Sequence, residues 1–104
     1  MSAGPLPGSR SAIASQVLPA PRFRYTPVVQ AGPFVFVSGM VALDARTGAL
    51  VAGGMYEQTA RILANLRALM DEQGWAPEQL VLARVFCTDF ATFGDFNRAW
   101  EAFF

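Results

Sequence analysis

Histidine and lysine are both missing from this 104-residue chain, and cysteine occurs once, at Cys87. Without histidine there is no Ser-His or Cys-His relay, and the commonest metal ligand is gone. A single thiol allows neither an internal disulfide nor a multi-thiolate zinc site. The expectation is a disulfide-free protein, suited to a reducing, cytoplasmic compartment. Charge is sparse as well. Eight arginines face eight acidic residues, for a net charge of zero and 15% charged residues overall. The arginines are scattered from Arg10 to Arg98 without a run, which speaks against a nucleic-acid partner. No apolar run approaches the roughly 18 residues of a membrane helix, and the N-terminus lacks the apolar centre of a signal peptide, so no membrane partner is expected.

What the chain does have is apolar surface, with 53% hydrophobic residues. At this length one domain with a thin core is expected, burying about 60–65% of the unfolded surface. So little polar surface points to an exposed apolar face that a second copy covers, and hence to an oligomer.

The most informative stretch is Phe34-Val35-Phe36-Val37-Ser38-Gly39, an apolar strand that ends in a small hydroxyl residue and a glycine. Such a strand buries its side chains on a sheet, while Ser38 and Gly39 leave the backbone bare for a ligand's approach. Residues 1–22 are rich in Gly, Ala, Ser and Pro and read as a flexible or extended arm, with the domain proper over 23–104. Thr26 to Gln30 and Phe34 to Leu43 read as a hairpin turning at Ala31-Gly32. Asp44 to Gly48 reads as a turn, after which Ala49 to Val51 runs back as a third strand.

From Met55 to Gln73 the period becomes helical, with Thr59, Ile62, Leu63, Leu66, Leu69 and Met70 on one face. Gly74 supplies a left-handed stop, and Trp75 folds back towards Met70. Val81 to Thr88 reads as another strand, with Val81, Ala83, Val85 and Cys87 on one face. Thr92, with Asp95 three residues on, starts a second helix carrying Phe93, Phe96, Trp100, Phe103 and Phe104. That helix pattern meets Phe104 without a capping glycine, and further closing elements are expected.

Tyr25-Thr26-Pro27-Val28-Val29, Ala31-Gly32, Phe36-Val37-Ser38-Gly39, Leu43-Asp44 with Thr47-Gly48, Gln58-Thr59, Asn65-Leu66 and Val85-Phe86-Cys87-Thr88-Asp89, followed by Phe93 and Asn97, occur here in a β-β-β-α-β-α order. In that joint order and spacing the chain resembles the reactive intermediate deaminase A family, also called the YjgF family. The resemblance covers residues 23–104.

It implies an α+β, chorismate-mutase-like fold with two helices on one face of the sheet. It also implies a homotrimer with a ligand cleft at each subunit boundary. The implied activity is hydrolysis of 2-imino acids and their enamine tautomers, such as 2-aminoacrylate, to 2-keto acids and ammonia without a cofactor. Tyr25 matches the tyrosine lining the cleft, Ser38 and Gly39 the strand end facing the ligand, Phe93 the aromatic wall and Asn97 the bordering amide. Met40 stands where Gln is common, and Phe23-Arg24 where Gly-Pro is usual. The family's carboxylate-binding Arg and water-positioning Glu lie after the second helix, in closing strands for which this sequence has no matching positions. No catalytic residue is therefore assigned.

Apart from the resemblance, Asn97 reads as a locally bonded helix residue, Tyr25 as a packed aromatic with a wet hydroxyl, Cys87 as a small core residue and Arg24 as a solvated arm residue. Two other functions fit the chain. One is a non-catalytic trimeric module that binds small carboxylates. The other is the ribonuclease or translation-inhibitor role given to some family members, which the missing basic patch disfavours.

Overall fold

A computed structural model describes residues 9–104. It is an α+β fold with a three-stranded antiparallel sheet and two helices. The sheet order is β1 (Arg10–Ala12), β2 (Val28–Ala31), β3 (Phe34–Val37).

The β2–β3 hairpin forms where the alternating apolar run predicts it, with Val28 opposite Val37 and Ala31 opposite Phe34. Its two-residue loop is Gly32-Pro33, one step later than expected. Gly32 takes φ 60°, and proline after it fixes a negative φ, a combination that only a type II′ turn satisfies. The first strand comes from the segment expected to be an arm: Arg10–Ala12 pairs with Val29–Ala31, and Ile13 N–H continues the ladder onto Val28 O at 2.9 Å. The rest of the expected arm up to residue 8 lies outside the described residues.

Two predicted strands are not assigned as such. Ala49 to Val51 is reduced to a single bridge between Leu43 and Leu50, supported by Val51 N–H on Ala42 O at 2.9 Å. Val81 to Thr88 forms no strand and pairs with nothing among the described residues. β3 also ends at Val37 rather than running on to Leu43, and it does not bury its side chains. Phe34 and Phe36 are exposed, and the outer edge of β3 has no partner among the described residues. A strand obtains its hydrogen bonds and its cover from neighbours, so its apolar pattern alone does not bury it.

The helices follow their pattern closely. The first, α1, spans Met55–Gln73. Glu57 Oε1 reaches back to accept from Gly54 N–H at 3.1 Å, the half of a capping box that an N-cap glycine permits. At the other end Gly74 is left-handed (φ 77°, ψ 25°), and Trp75 N–H donates to Met70 O at 2.8 Å, which is the predicted Schellman stop. Leu63, Leu69 and Met70 are buried, and together with Val28, Ala42 and Ala99 they form the core.

The second helix, α2 (Phe93–Phe103), follows a 3-10 turn over Phe90–Thr92. Its start differs from the predicted capping box. Asp89 Oδ1 accepts from Ala91 N–H at 3.0 Å, while Thr92 Oγ donates to Asp89 O, so the threonine does not cap α2. Asp95 instead pairs with Arg98 at 2.8 Å. Arg67 fastens α1 to α2 by donating to Phe103 O at 3.2 Å, with its guanidinium 4.7 Å from the Phe103 ring centre.

Candidate functional site

The candidate residues fall into two groups. Tyr25, Ser38 and Gly39 sit at the open end of the β2–β3 hairpin, because Tyr25 precedes β2 and Ser38 follows β3. Ser38 N–H donates to Pro27 O at 2.9 Å, which carries the ladder one residue beyond β3. Its hydroxyl donates to Thr26 O, also at 2.9 Å. The hydroxyl proton is thereby committed to the backbone next to Tyr25, which leaves the lone pairs of Oγ as acceptors. Ser38 can take a hydrogen bond from an N–H or a water but does not offer one.

Gly39 is exposed, and a methyl group built on its Cα meets nothing within 4 Å. Its φ is negative or extended, since it is not among the glycines in the left-handed region. Neither backbone conformation nor internal packing requires glycine here. Any requirement for a bare backbone at Gly39 comes from something other than the described residues.

Phe93 and Asn97 lie one turn apart on α2. Phe93 belongs to a run of ring contacts along the helix, 5.7 Å from Phe90 and 5.5 Å from Phe96 between centroids. The run continues through Trp100 to Phe104, at 5.6 and 4.7 Å. Asn97 is half-buried, and its Nδ2 donates to Glu101 Oε1 at 3.0 Å, the i,i+4 bond of a helix surface.

The two grooves described for the chain do not join the two groups. One open groove, about 390 Å³, runs between Leu80–Ala83 and the rings of Trp100 and Phe104. A second, about 410 Å³, is lined by Arg67, Pro77, Glu78, Phe103 and Phe104. Neither touches Tyr25, Ser38, Gly39, Phe93 or Asn97.

Charged groups that depart from ordinary titration are structural, with Glu72 and Arg98 exposed and Asp44 half-buried. N–H groups of Thr47 and then Arg46 hold the Asp44 carboxyl below the usual range. Glu72 is lowered chiefly by Gln16 N–H, at 2.7 Å, and by Ser15. Arg98 is raised by its bond to Asp95. Among the described residues no group of three or more His, Cys, Asp or Glu is placed to hold a metal ion. No helix is long and apolar enough to cross a membrane.

One residue that positions the site escapes a reading by chemistry. Asn65 is 3% exposed, and its Nδ2 donates to Leu43 O at 2.8 Å, tying α1 to the chain that follows Ser38-Gly39. The signal was its spacing: three residues after Ile62 and four before Leu69, it sits on the apolar stripe, where a polar side chain must find a partner.

Comparison with known proteins places this geometry among relatives. Residues 15–104 match the family described as endoribonuclease L-PSP. A RutC family protein of Pyrococcus abyssi is 29% identical over 96 residues, covering 92% of this chain and 76% of the relative. The 2-iminobutanoate/2-iminopropanoate deaminase of mouse is 30% identical over 95 residues, covering 91% of this chain and 70% of that protein. The crystal structure of RidA from an Antarctic Psychrobacter species superposes with a TM-score of 0.82 at 26% identity, covering 90% of this chain and 76% of that one.

Proposed function

The chain belongs to the RidA/YjgF family, whose match is described as endoribonuclease L-PSP, and from that membership we propose that it acts on small 2-imino acids and their enamine tautomers. The reaction adds water across the C=N bond and releases ammonia, leaving a 2-keto acid. The identity with the mouse deaminase is the observation that supports this reading.

The assigned residues bind and orient the substrate. Ser38 Oγ, its proton held by Thr26 O, accepts from the imine or enamine N–H or from the attacking water. Gly39 lets the substrate lie against the backbone, Tyr25 and Phe93 supply apolar walls, and Asn97 borders the pocket. In this reading the cleft forms between copies of a homotrimer in the cytoplasm, each group coming from a different copy, without a metal or other cofactor. None of these five residues is assigned the proton transfer.

Generating a 2-imino acid in place with an amino-acid oxidase, and following its decay, tests the reading. Added protein accelerates the decay; an unchanged rate contradicts it. Thermal stabilisation by a 2-keto acid without turnover identifies a binding module instead. The family's description supports a second reading, RNA cleavage. Zero net charge and scattered arginines give that reading no basic face, and salt-independent failure to bind RNA disposes of it.

A further inference from the structure

Asn65 lies on the apolar stripe of α1, between Ile62 and Leu69, and is 3% exposed. A buried amide there needs a partner, and its Nδ2 finds one in Leu43 O at 2.8 Å. The bridge turns that carbonyl towards the helix. Leu43 stands opposite Leu50, with Asp44 N–H donating to Ala49 O at 2.8 Å and Val51 N–H to Ala42 O at 2.9 Å. In such a pair the neighbours of Leu43 carry the bridge bonds, so its own C=O points away from residues 49–51.

The segment that reaches this anchor is the one that carries Ser38 and Gly39. Ser38 is fixed to the chain before β2 by its N–H on Pro27 O and its hydroxyl on Thr26 O. On the far side, Leu43 N–H closes a tight turn on Val41 O at 2.8 Å, and Ala42 is buried. Gly39 and Met40 alone separate Ser38 from Val41, so a shift at the second anchor has two residues over which to relax.

We propose that Asn65 is a positioning residue of the candidate site, holding the Gly39 backbone, through Leu43, where a 2-imino or 2-keto acid rests. This role depends on the binding of such acids at Ser38-Gly39 proposed above. Being buried, Asn65 acts through the backbone and not on the ligand itself. α1 is a suitable reference because both its ends are closed, by Glu57 Oε1 on Gly54 N–H and by the left-handed Gly74. A site held from a rigid element keeps its geometry, and a displacement of about 1 Å can cost up to about a hundredfold.

Calorimetric titration of the full chain with a 2-keto acid, alongside thermal unfolding of each variant, tests the role. Asn65→Leu keeps the bulk and the apolar stripe, and leucine is the better helix former, but the donor to Leu43 O is gone. It is expected to bind roughly tenfold more weakly than the parent. Gly74→Ala lowers stability at the far end of α1 and is expected to bind as the parent does, so that affinity follows the donor and not stability. Asn65→Gln keeps an amide donor and is expected to recover part of the loss. Parent-like affinity in Asn65→Leu, an equal loss in Gly74→Ala, or no recovery in Asn65→Gln overturns the proposal and leaves the cleft in place. A parent chain that binds no 2-keto acid overturns the reading of the cleft, and this role with it.

Discussion

α1 and the stretch Val81–Thr88 are both rich in apolar residues, yet one is the longest helix and carries half of the buried apolar core, while the other lies bare among the described residues. The difference is where the backbone finds its partners. A helix closes its N–H and C=O groups on itself, so Met55–Gln73 needs only one buried stripe, and Leu63, Leu69 and Met70 provide it. A strand finds no such partner within itself, and without a neighbouring strand the alternation of Val81, Ala83, Val85 and Cys87 has nothing to act on. The same contrast explains β3, whose inner edge is paired with β2 while Phe34 and Phe36 remain exposed.

The sharpest way to break this comparison is to truncate one leucine in each region. Leu69 is 0% exposed, so Leu69→Ala is expected to destabilise by about 2–5 kcal/mol in denaturant unfolding. Leu82 is 71% exposed, and Leu82→Ala is expected to change stability by less than about 0.5 kcal/mol. Equal losses would show that the two regions are packed alike.

Asn65 extends the comparison to polar groups. Asn65→Ala leaves Leu43 O without its donor beneath α1 and is expected to cost about 1–3 kcal/mol in the same measurement. A neutral result would mean that the helix does not hold the chain after Gly39 in place.

Two glycines separate structure from site. Gly74→Ala forces a side chain into the left-handed region and is expected to cost about 1 kcal/mol. Gly39→Ala is expected to leave stability within about 0.5 kcal/mol, since nothing in the chain occupies that space. If the proposed cleft is real, the same change weakens 2-keto acid binding roughly tenfold, equivalent to about 1.4 kcal/mol. Unchanged binding in calorimetry would remove Gly39 from the site.

The smallest effect expected is on pH. The carboxyls of Asp44 and Glu72 both titrate below their ordinary values in the folded chain. Their contribution is complete above the ordinary carboxylate range and is lost as pH falls through the lowered values, so stability decreases on acidification. Asp44→Ala, which removes the acceptor of Arg46 and Thr47 N–H, is expected to flatten that acid limb in thermal unfolding followed across pH. An unaltered limb would assign it to other groups.

Legibility in the sequence followed the same division. The bounds of α1, its glycine stop and the backfold of Trp75 were all readable, because capping and periodicity are local. The hairpin was readable to within a residue, with proline deciding where it turns. The strands at 49–51 and 81–88 were read from apolar alternation, which records a tendency but not a partner. Arg10–Ala12 was missed because three exposed residues carry no period, only an available edge on β2. For the site, the nearness of Ser38 to Tyr25 followed from hairpin pairing, whereas the relation of either to Phe93 and Asn97 depends on tertiary placement that spacing does not encode.

Hydrogen exchange read residue by residue probes the difference between the two apolar regions most directly. The account predicts that amides of Val81 to Thr88 exchange at the rate of a free peptide, while those of Leu63 to Met70 are protected to near the stability of the whole fold. Comparable protection in both stretches would contradict it.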